Sequence, residues 1–161
     1  MTDESGVRET LDLLSRALMR RFPDWSSELS SPERDPYTER MWLHISVPGR
    51  QTHTLSFMIG GNEIEVHYAD GEPPGAAERL FVFQDAQRAE AIESVADFVS
   101  KVVQEHVAMA RERLPRLIRF IRRDDCDSLL RFMPPEEATQ KRKRMRAIYS
   151  WRRTYDYTGE R

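Results

Sequence analysis

Residues 52–68, THTLSFMIGGNEIEVHY, constrain the fold of this chain more than any other stretch, because two alternating runs meet there at a glycine pair. Apolar or aromatic side chains recur at His53, Leu55, Phe57 and Ile59, and again at Ile64, Val66 and Tyr68. A period of two marks strands with one buried face. Gly60-Gly61 accepts positive φ at little steric cost, which predicts a hairpin closed by a two-residue primed turn. Pairing Ile59 with Asn62 then sets Phe57 opposite Ile64, Leu55 opposite Val66 and His53 opposite Tyr68. Slipping by one residue would bring Phe57 against Glu65 and destroy the shared apolar face. The preceding run, Trp42 to Val47, alternates in the same way, and Pro48-Gly49-Arg50-Gln51 reads as a turn. Pairing Val47 with His53, Ile45 with Leu55 and Leu43 with Phe57 extends the apolar face onto a third strand.

In this register the opposite face carries three rows: Trp42, Met58 and Glu63; His44, Ser56 and Glu65; Ser46, Thr54 and His67. Serine, histidine and carboxylate share that face, so a catalytic triad has to be weighed. The order is wrong for one, since a triad needs the base between nucleophile and orienter, whereas Ser56 lies between His44 and Glu65 on a flat strand. A metal site from His44, Glu65 and His67 is disfavoured because the outer strands are about 10 Å apart and no HExxH-type spacing occurs. A one-sided antiparallel sheet ordinarily turns such a face to water. Trp42, His44, Ser56, Glu65 and His67 are therefore expected to contact a partner, with no catalytic and no metal-binding residue assigned.

At 161 residues, 39% hydrophobic, the chain is long enough for one domain with a real core, and the reading is a single domain over 1–161. No apolar run approaches the ~20 residues that span a bilayer, and the start MTDESG lacks the basic and apolar regions of a signal peptide, so the expected location is the cytoplasm, with no membrane partner. Cys126 is the one cysteine, which excludes an intrachain disulfide, a zinc ribbon and a CxxC redox pair. The aspartates around it disfavour a thiolate. Gly60-Gly61, Gly71 and Gly75 form neither a P-loop nor a dinucleotide fingerprint, and no cofactor is predicted.

Residues 6–21 place Val7, Leu11, Leu14 and Leu18 on one stripe of an amphipathic helix that Phe22-Pro23 ends. Residues 24–39, with Pro32 and Pro36 and no periodicity, read as an irregular loop anchored by Trp25. After the meander, 69–78 reads as a long connection and 79–84 as a short strand. A long helix follows from Ala86 to about Glu105, with Asp85 as its N-cap, and its stripe of Ile92, Val95, Val99, Val102 and His106 should cover the meander. His106 itself reads as a helix-end histidine. Residues 107–114 fit either a weak strand or two further helical turns. Residues 117–122 and 128–133 read best as a second hairpin. Pro134-Pro135-Glu136-Glu137 should start a helix running to about Ala147 through a basic run. A terminal strand then carries Tyr149, Trp151, Arg153, Tyr155 and Tyr157 on one face. The fold class is α+β, an antiparallel sheet with an N-terminal helix, a long covering helix and a basic C-terminal helix.

Charge is unevenly spread: residues 1–106 carry 10 Lys+Arg against 19 Asp+Glu, and residues 107–161 carry 15 against 8. Such asymmetry speaks about partners, or about attraction between the halves. One functional reading is therefore nucleic-acid binding through Lys141, Arg142, Lys143, Arg144, Arg146, Arg152 and Arg153, with aromatics under unpaired bases. No RNP-type, KH-type or zinc-finger motif accompanies these residues. An enzyme would need Asp70, Glu72, His44, His67 or His106 to converge in a way that spacing does not show.

The N-terminal helix ending in Arg21-Phe22-Pro23-Asp24-Trp25, the meander with Val47-Pro48 and Glu65-Val66, the covering helix and the terminal Ser150-Trp151-Arg152-Arg153-Thr154-Tyr155-Asp156 together resemble small bacterial immunity or uncharacterised domains encoded beside polymorphic toxins. The resemblance implies a cytoplasmic binding protein that blocks a cognate toxin. It carries over no contact residue, because such families vary at those surfaces. The leading expectation is thus a non-enzymatic protein-binding module, with nucleic-acid binding as the alternative.

Overall fold

The computed structural model describes residues 4–71, 76–114, 128–152, 154 and 156–159. The first apolar stripe folds as expected: helix α1 (Glu4–Arg21) buries Val7, Leu11, Leu14 and Leu18. The stretch expected to be irregular instead holds a 3-10 turn (Pro23–Trp25), a single-turn helix α2 (Ser26–Leu29) and a two-residue strand β1 (Glu33–Arg34). These pieces are too short to leave a period in the sequence. Trp25 is the buried anchor of this segment, with the Phe22 ring stacked on it at 4.3 Å.

Strands β2 (Met41–Ser46), β3 (Thr54–Ile59), β4 (Glu63–Ala69) and β5 (Ala77–Val82) complete a five-stranded antiparallel meander in the order β1-β2-β3-β4-β5. The β2–β3 register is the expected one, Leu43 opposite Phe57 and Ile45 opposite Leu55. The β3–β4 register is displaced by two residues from the expected pairing: Ile59 faces Ile64, Phe57 faces Val66 and Leu55 faces Tyr68. The hairpin closes at Gly60, whose N–H donates to the Glu63 carbonyl at 2.9 Å, so Gly61 and Asn62 form the turn. None of Gly60, Gly61 and Asn62 has positive φ, and the turn is not a primed one. Gly60 is needed for closeness, since a Cβ there would stand 2.9 Å from the Glu63 Cγ.

Helix α3 (Arg88–Val103) follows a 3-10 turn at Asp85–Gln87, so Asp85 does not cap it. Its carboxylate accepts instead from Arg88 Nη2 at 2.7 Å, and Arg88 also pairs with Glu9 of α1. The helix ends in a Schellman arrangement, with the Glu105 and His106 N–H groups donating back to Val102 and Lys101. Glu105 takes the left-handed position at φ 64° that glycine usually fills. Helices α1 and α3 pack on each other over the inner face of the meander, and Ile92, Val95, Val99 and Val102 join Leu43, Phe57, Ile64 and Val66 in one core.

The ambiguous 107–114 stretch is strand β6 (Ala108–Arg113), because it is paired on both sides. It is central in a second sheet of order β7-β6-β8-β9, with β7 (Ser128–Met133), β8 (Met145–Tyr149) and β9 (Tyr157–Thr158). The expected strand at 117–122 and Cys126 lie outside the described residues. Helix α4 covers only Pro135–Gln140, and the basic run continues as a 3-10 turn (Arg142–Arg144) leading into β8. The apolar stripe of the longer helix was thin, and Met145, Ala147 and Ile148 are buried as a strand instead, beside or within a small cluster of Ala108, Ala110, Met133 and Ala138. The terminal aromatic strand is likewise split, since Trp151 and Arg152 lie in a turn between β8 and β9.

Two polar joints lock the sheets together. Asp70, directly after β4, accepts from Arg111 Nε at 2.9 Å and Nη2 at 2.6 Å, with side chains 0% and 1% exposed, and Arg111 Nη1 reaches the buried Ser128 Oγ at 3.4 Å. Gly71 (φ 80°) turns the chain immediately afterwards, where a Cβ would lie 2.7 Å from the Thr52 Cβ. At the other joint Arg50 is buried over the Tyr149 ring and bonds the Ser150 carbonyl and Asp156. Burial would push the nearby Glu105 carboxyl up, but hydrogen bonds from the Thr154 hydroxyl, the Arg152 N–H, Ser150 and the Thr154 N–H hold it below its ordinary range.

Arg111→Met leaves the Asp70 carboxylate buried without its bidentate partner and should lower stability in urea unfolding by about 3–5 kcal/mol. The double variant Asp70→Leu/Arg111→Met should recover most of that loss. A single variant within ~0.5 kcal/mol of wild type would show that the joint is energetically idle.

Candidate functional site

The outer face of the meander follows from strand alternation: Glu33 on β1; Trp42, His44 and Ser46 on β2; Thr54, Ser56 and Met58 on β3; Glu63, Glu65 and His67 on β4; Glu78, Leu80 and Val82 on β5. The two-residue displacement changes its rows. Glu33, Trp42, Met58, Glu65 and Leu80 now run straight across all five strands, and His44, Ser56, His67 and Glu78 run beside them. All five expected contact residues, Trp42, His44, Ser56, Glu65 and His67, come together on this face, in a different pattern from the predicted one.

Trp42 is the hub. Its ring stacks on His44 (centroids 5.7 Å, planes 8° apart) and tilts against His67 at 5.3 Å. Its indole Nε1 donates to Asp35 Oδ2 at 3.2 Å. Asp35 Oδ1 in turn accepts from the Tyr37 and Thr38 N–H groups at 2.8 and 2.9 Å, which organises the β1–β2 turn. These bonds, the Tyr37 N–H first and the Trp42 indole next, hold the Asp35 carboxyl below its ordinary range. Arg40 pairs with Glu63 and stands 3.7 Å from Glu65. His67 donates from Nε2 to Glu65 at 3.1 Å, and its Nδ1 is 3.7 Å from Glu78.

Ser56 shares a 2.8 Å hydrogen bond with His44 Nδ1, and His44 Nε2 is 3.9 Å from Glu33. Strand β1, absent from the sequence expectation, thus places a carboxylate beyond His44 and sets serine, histidine and carboxylate in the order a triad needs. Two features still withhold the chemistry. Glu33 is beyond hydrogen-bond reach, and Ser56 is buried on a central strand whose own N–H groups are committed to the ladders with β2 and β4 and are not free for an oxyanion. Among the described residues no three His, Cys, Asp or Glu groups come together so as to hold a metal ion. Asp70 is buried with Arg111, and His106 is exposed beyond α3, so neither joins His44 and His67; Glu72 lies outside the described residues.

The basic candidates stand in different settings. Lys141 pairs with Glu137 at 2.6 Å, Arg142 lies 4.2 Å over the Tyr157 ring, Lys143 and Arg144 are exposed on the 3-10 turn, and Arg146 is half-buried on β8. The Arg152 N–H is tied to Glu105 at 2.7 Å, and Arg153 lies outside the described residues. Trp151 is buried against Trp25, and Tyr149 is flanked by Arg50 and His53.

Pattern reading missed Tyr37, Leu80 and Val82, which are 94%, 52% and 69% exposed. Alternation did place Leu80 and Val82 on a strand, but both faces of β5 carry apolar residues, and the side facing solvent was ambiguous. No protein-family model matches the chain, and neither a curated protein nor a solved structure does. The geometry is therefore the ground on which a function has to be argued.

Because the Asp35 carboxyl is depressed in the folded chain, its hold on Trp42 is present above the ordinary aspartate value of 3.8 and is lost as pH falls through the lower folded value. The Trp42 indole N–H resonance should shift with an inflection below that value, and Asp35→Asn should remove the inflection. An indole signal that does not move in acid would show that the bond is not formed in solution.

Proposed function

We propose that this chain is a non-enzymatic protein-binding module that docks through the outer face of the five-stranded sheet. Following the resemblance in its layout, the partner is a bacterial toxin that the chain neutralises in the cytoplasm. The observation that carries the reading is the placement of exposed apolar side chains. Among the described residues every large exposed hydrophobic lies on that face, as Leu80 and Val82 do, or on the turn leading into it, as Tyr37 does. Isolated exposed apolar residues are ordinary, but a group confined to one face and centred on an aromatic marks an interaction surface. A tryptophan whose indole is already held by a hydrogen bond, as that of Trp42 is, also loses little entropy on docking.

The nucleic-acid alternative gains less support. Trp151 and Tyr149 are packed within the fold, and Arg142 already covers the Tyr157 ring, so among the described residues the tail's rings for base stacking are engaged; Tyr155 lies outside the described residues. No described helix is long and apolar enough to cross a membrane.

A photoreactive phenylalanine analogue placed at Leu80 or Val82 in native cells should form a discrete protein adduct, and one at Asp12 on the solvent side of α1 should not. The cross-linked protein should be toxic when expressed alone and harmless when the wild-type chain is co-expressed. Leu80→Asp/Val82→Asp should weaken that protection about tenfold or more, the scale of a lost hot spot. Adducts that form equally at Asp12, or nowhere, would sink the proposal.

A further inference from the structure

The composition of the outer face narrows its partner. We infer that it recognises a cationic protein surface, lysine- or arginine-rich at its margins and apolar between them; this deepens, and rests on, the binding reading above. Among the described residues, four carboxylates, Glu33, Glu63, Glu65 and Glu78, meet one guanidinium, that of Arg40, for a formal charge of −3. Arg40 is committed to Glu63 and Glu65. Among the described residues, the charged partners near the two edge carboxylates are histidines: Glu33 is 3.9 Å from His44, Glu78 is 3.7 Å from His67, and their side chains are 75% and 62% exposed. The two other cations of these strands fall on the opposite side by alternation, where Arg34 pairs with Glu4 and Arg79 lies over Phe81 and Phe98.

Trp42 and Met58 lie on the strands between the edge carboxylates, and Leu80 and Val82 extend the apolar surface along β5 beside Glu78. Glu33 and Glu78 sit four strand spacings apart, about 19 Å. A complementary surface therefore offers cations at about that separation on either side of an apolar ridge. A second copy of this face would set like charges against one another, and nucleic acid or an anionic membrane would be repelled for the same reason. The β1–β2 turn, which carries the exposed Tyr37, adds Asp35 and Glu39 and strengthens the bias.

The test uses the full chain and two synthetic peptides, one alternating lysine and valine and one alternating glutamate and valine, followed by amide and indole NMR shifts. The lysine peptide should bind saturably with shifts centred on Trp42, Met58, Leu80 and Val82, and should weaken about fivefold or more as ionic strength rises from ~0.05 to ~0.3 M. Glu33→Lys/Glu78→Lys changes the two most exposed carboxylates without touching Arg40. It should weaken the lysine peptide about tenfold and reverse the preference toward the glutamate peptide. Leu80→Ser/Val82→Ser should weaken binding while keeping the salt dependence. Shifts elsewhere, no binding, or equal binding of the two peptides by wild type would overturn the inference. The two proposals separate cleanly. If the Leu80 adduct survives Glu33→Lys/Glu78→Lys unchanged, the face binds a partner that is not cationic and only this inference falls; if no adduct forms, the binding reading falls first.

Discussion

The buried pair of Asp70 and Arg111 is the contact on which the rest of the molecule depends, because it joins two sheets that share no backbone ladder. Removing two charges from water costs several kcal/mol per ion, and their attraction largely offsets that cost when the geometry is bidentate. What the pair adds is position. It fixes the end of β4 against the middle of β6, while the rings of Phe81, Phe98 and Phe132 draw β5, α3 and β7 together at centroid distances of 6.0 and 5.0 Å. Helices α1 and α3 pack over the inner side of the meander, and its outer face carries the exposed Leu80 and Val82.

Much of this architecture was legible in the sequence, and the reasons for the exceptions are physical. Period-two and helical stripes identified the buried face of β2, β3 and β4 and the inner faces of α1 and α3, because burial imposes those periods directly. The β3–β4 register was not legible to the same degree. A slip of two residues keeps every apolar side chain on its own face, so the pattern excludes odd slips and says nothing about even ones. Only the turn distinguishes them, and Gly60-Gly61 offered two ways of closing. The glycine pair suggested positive φ, whereas the role of Gly60 is to admit the Glu63 side chain. The joint between Asp70 and Arg111 was not legible at all, since it links positions far apart in the chain that belong to no shared motif.

That register decides what the candidate site is. In the expected pairing Glu65 stood across from Ser56; in the structure His67 does, and Glu65 moves beside Met58 and Leu80. The change converts a face that resembled scattered polar chemistry into a continuous row of aromatic, apolar and acidic groups. It also accounts for the cover over Ser56, which lies between two imidazoles and is buried on a face otherwise open to water. A nucleophile needs access, and this serine has a support role beneath Trp42, His44 and His67. The ring-on-ring contacts and the Asp35 bonds hold the face in one arrangement before any partner arrives, so less side-chain freedom remains to be lost on binding.

The charge imbalance between the two ends of the chain then acquires a structural meaning. Opposite charges from the two portions do meet, but at single points: the buried Asp70 with Arg111, and Arg50 with Asp156. These joints neutralise individual groups and leave surplus charge outside. Part of the acid surplus stays on the outer sheet face, while exposed base remains at Lys143 and Arg144. An approaching charged surface therefore meets a chain near neutrality overall but acidic at its apolar face. Local fields of this kind orient an encounter even when net charge is small, and they do so within a Debye length of about 8 Å at physiological salt. In the proposed binding, the acidic frame would select the approach, and the apolar side chains Trp42, Met58, Leu80 and Val82 would supply the area that holds it.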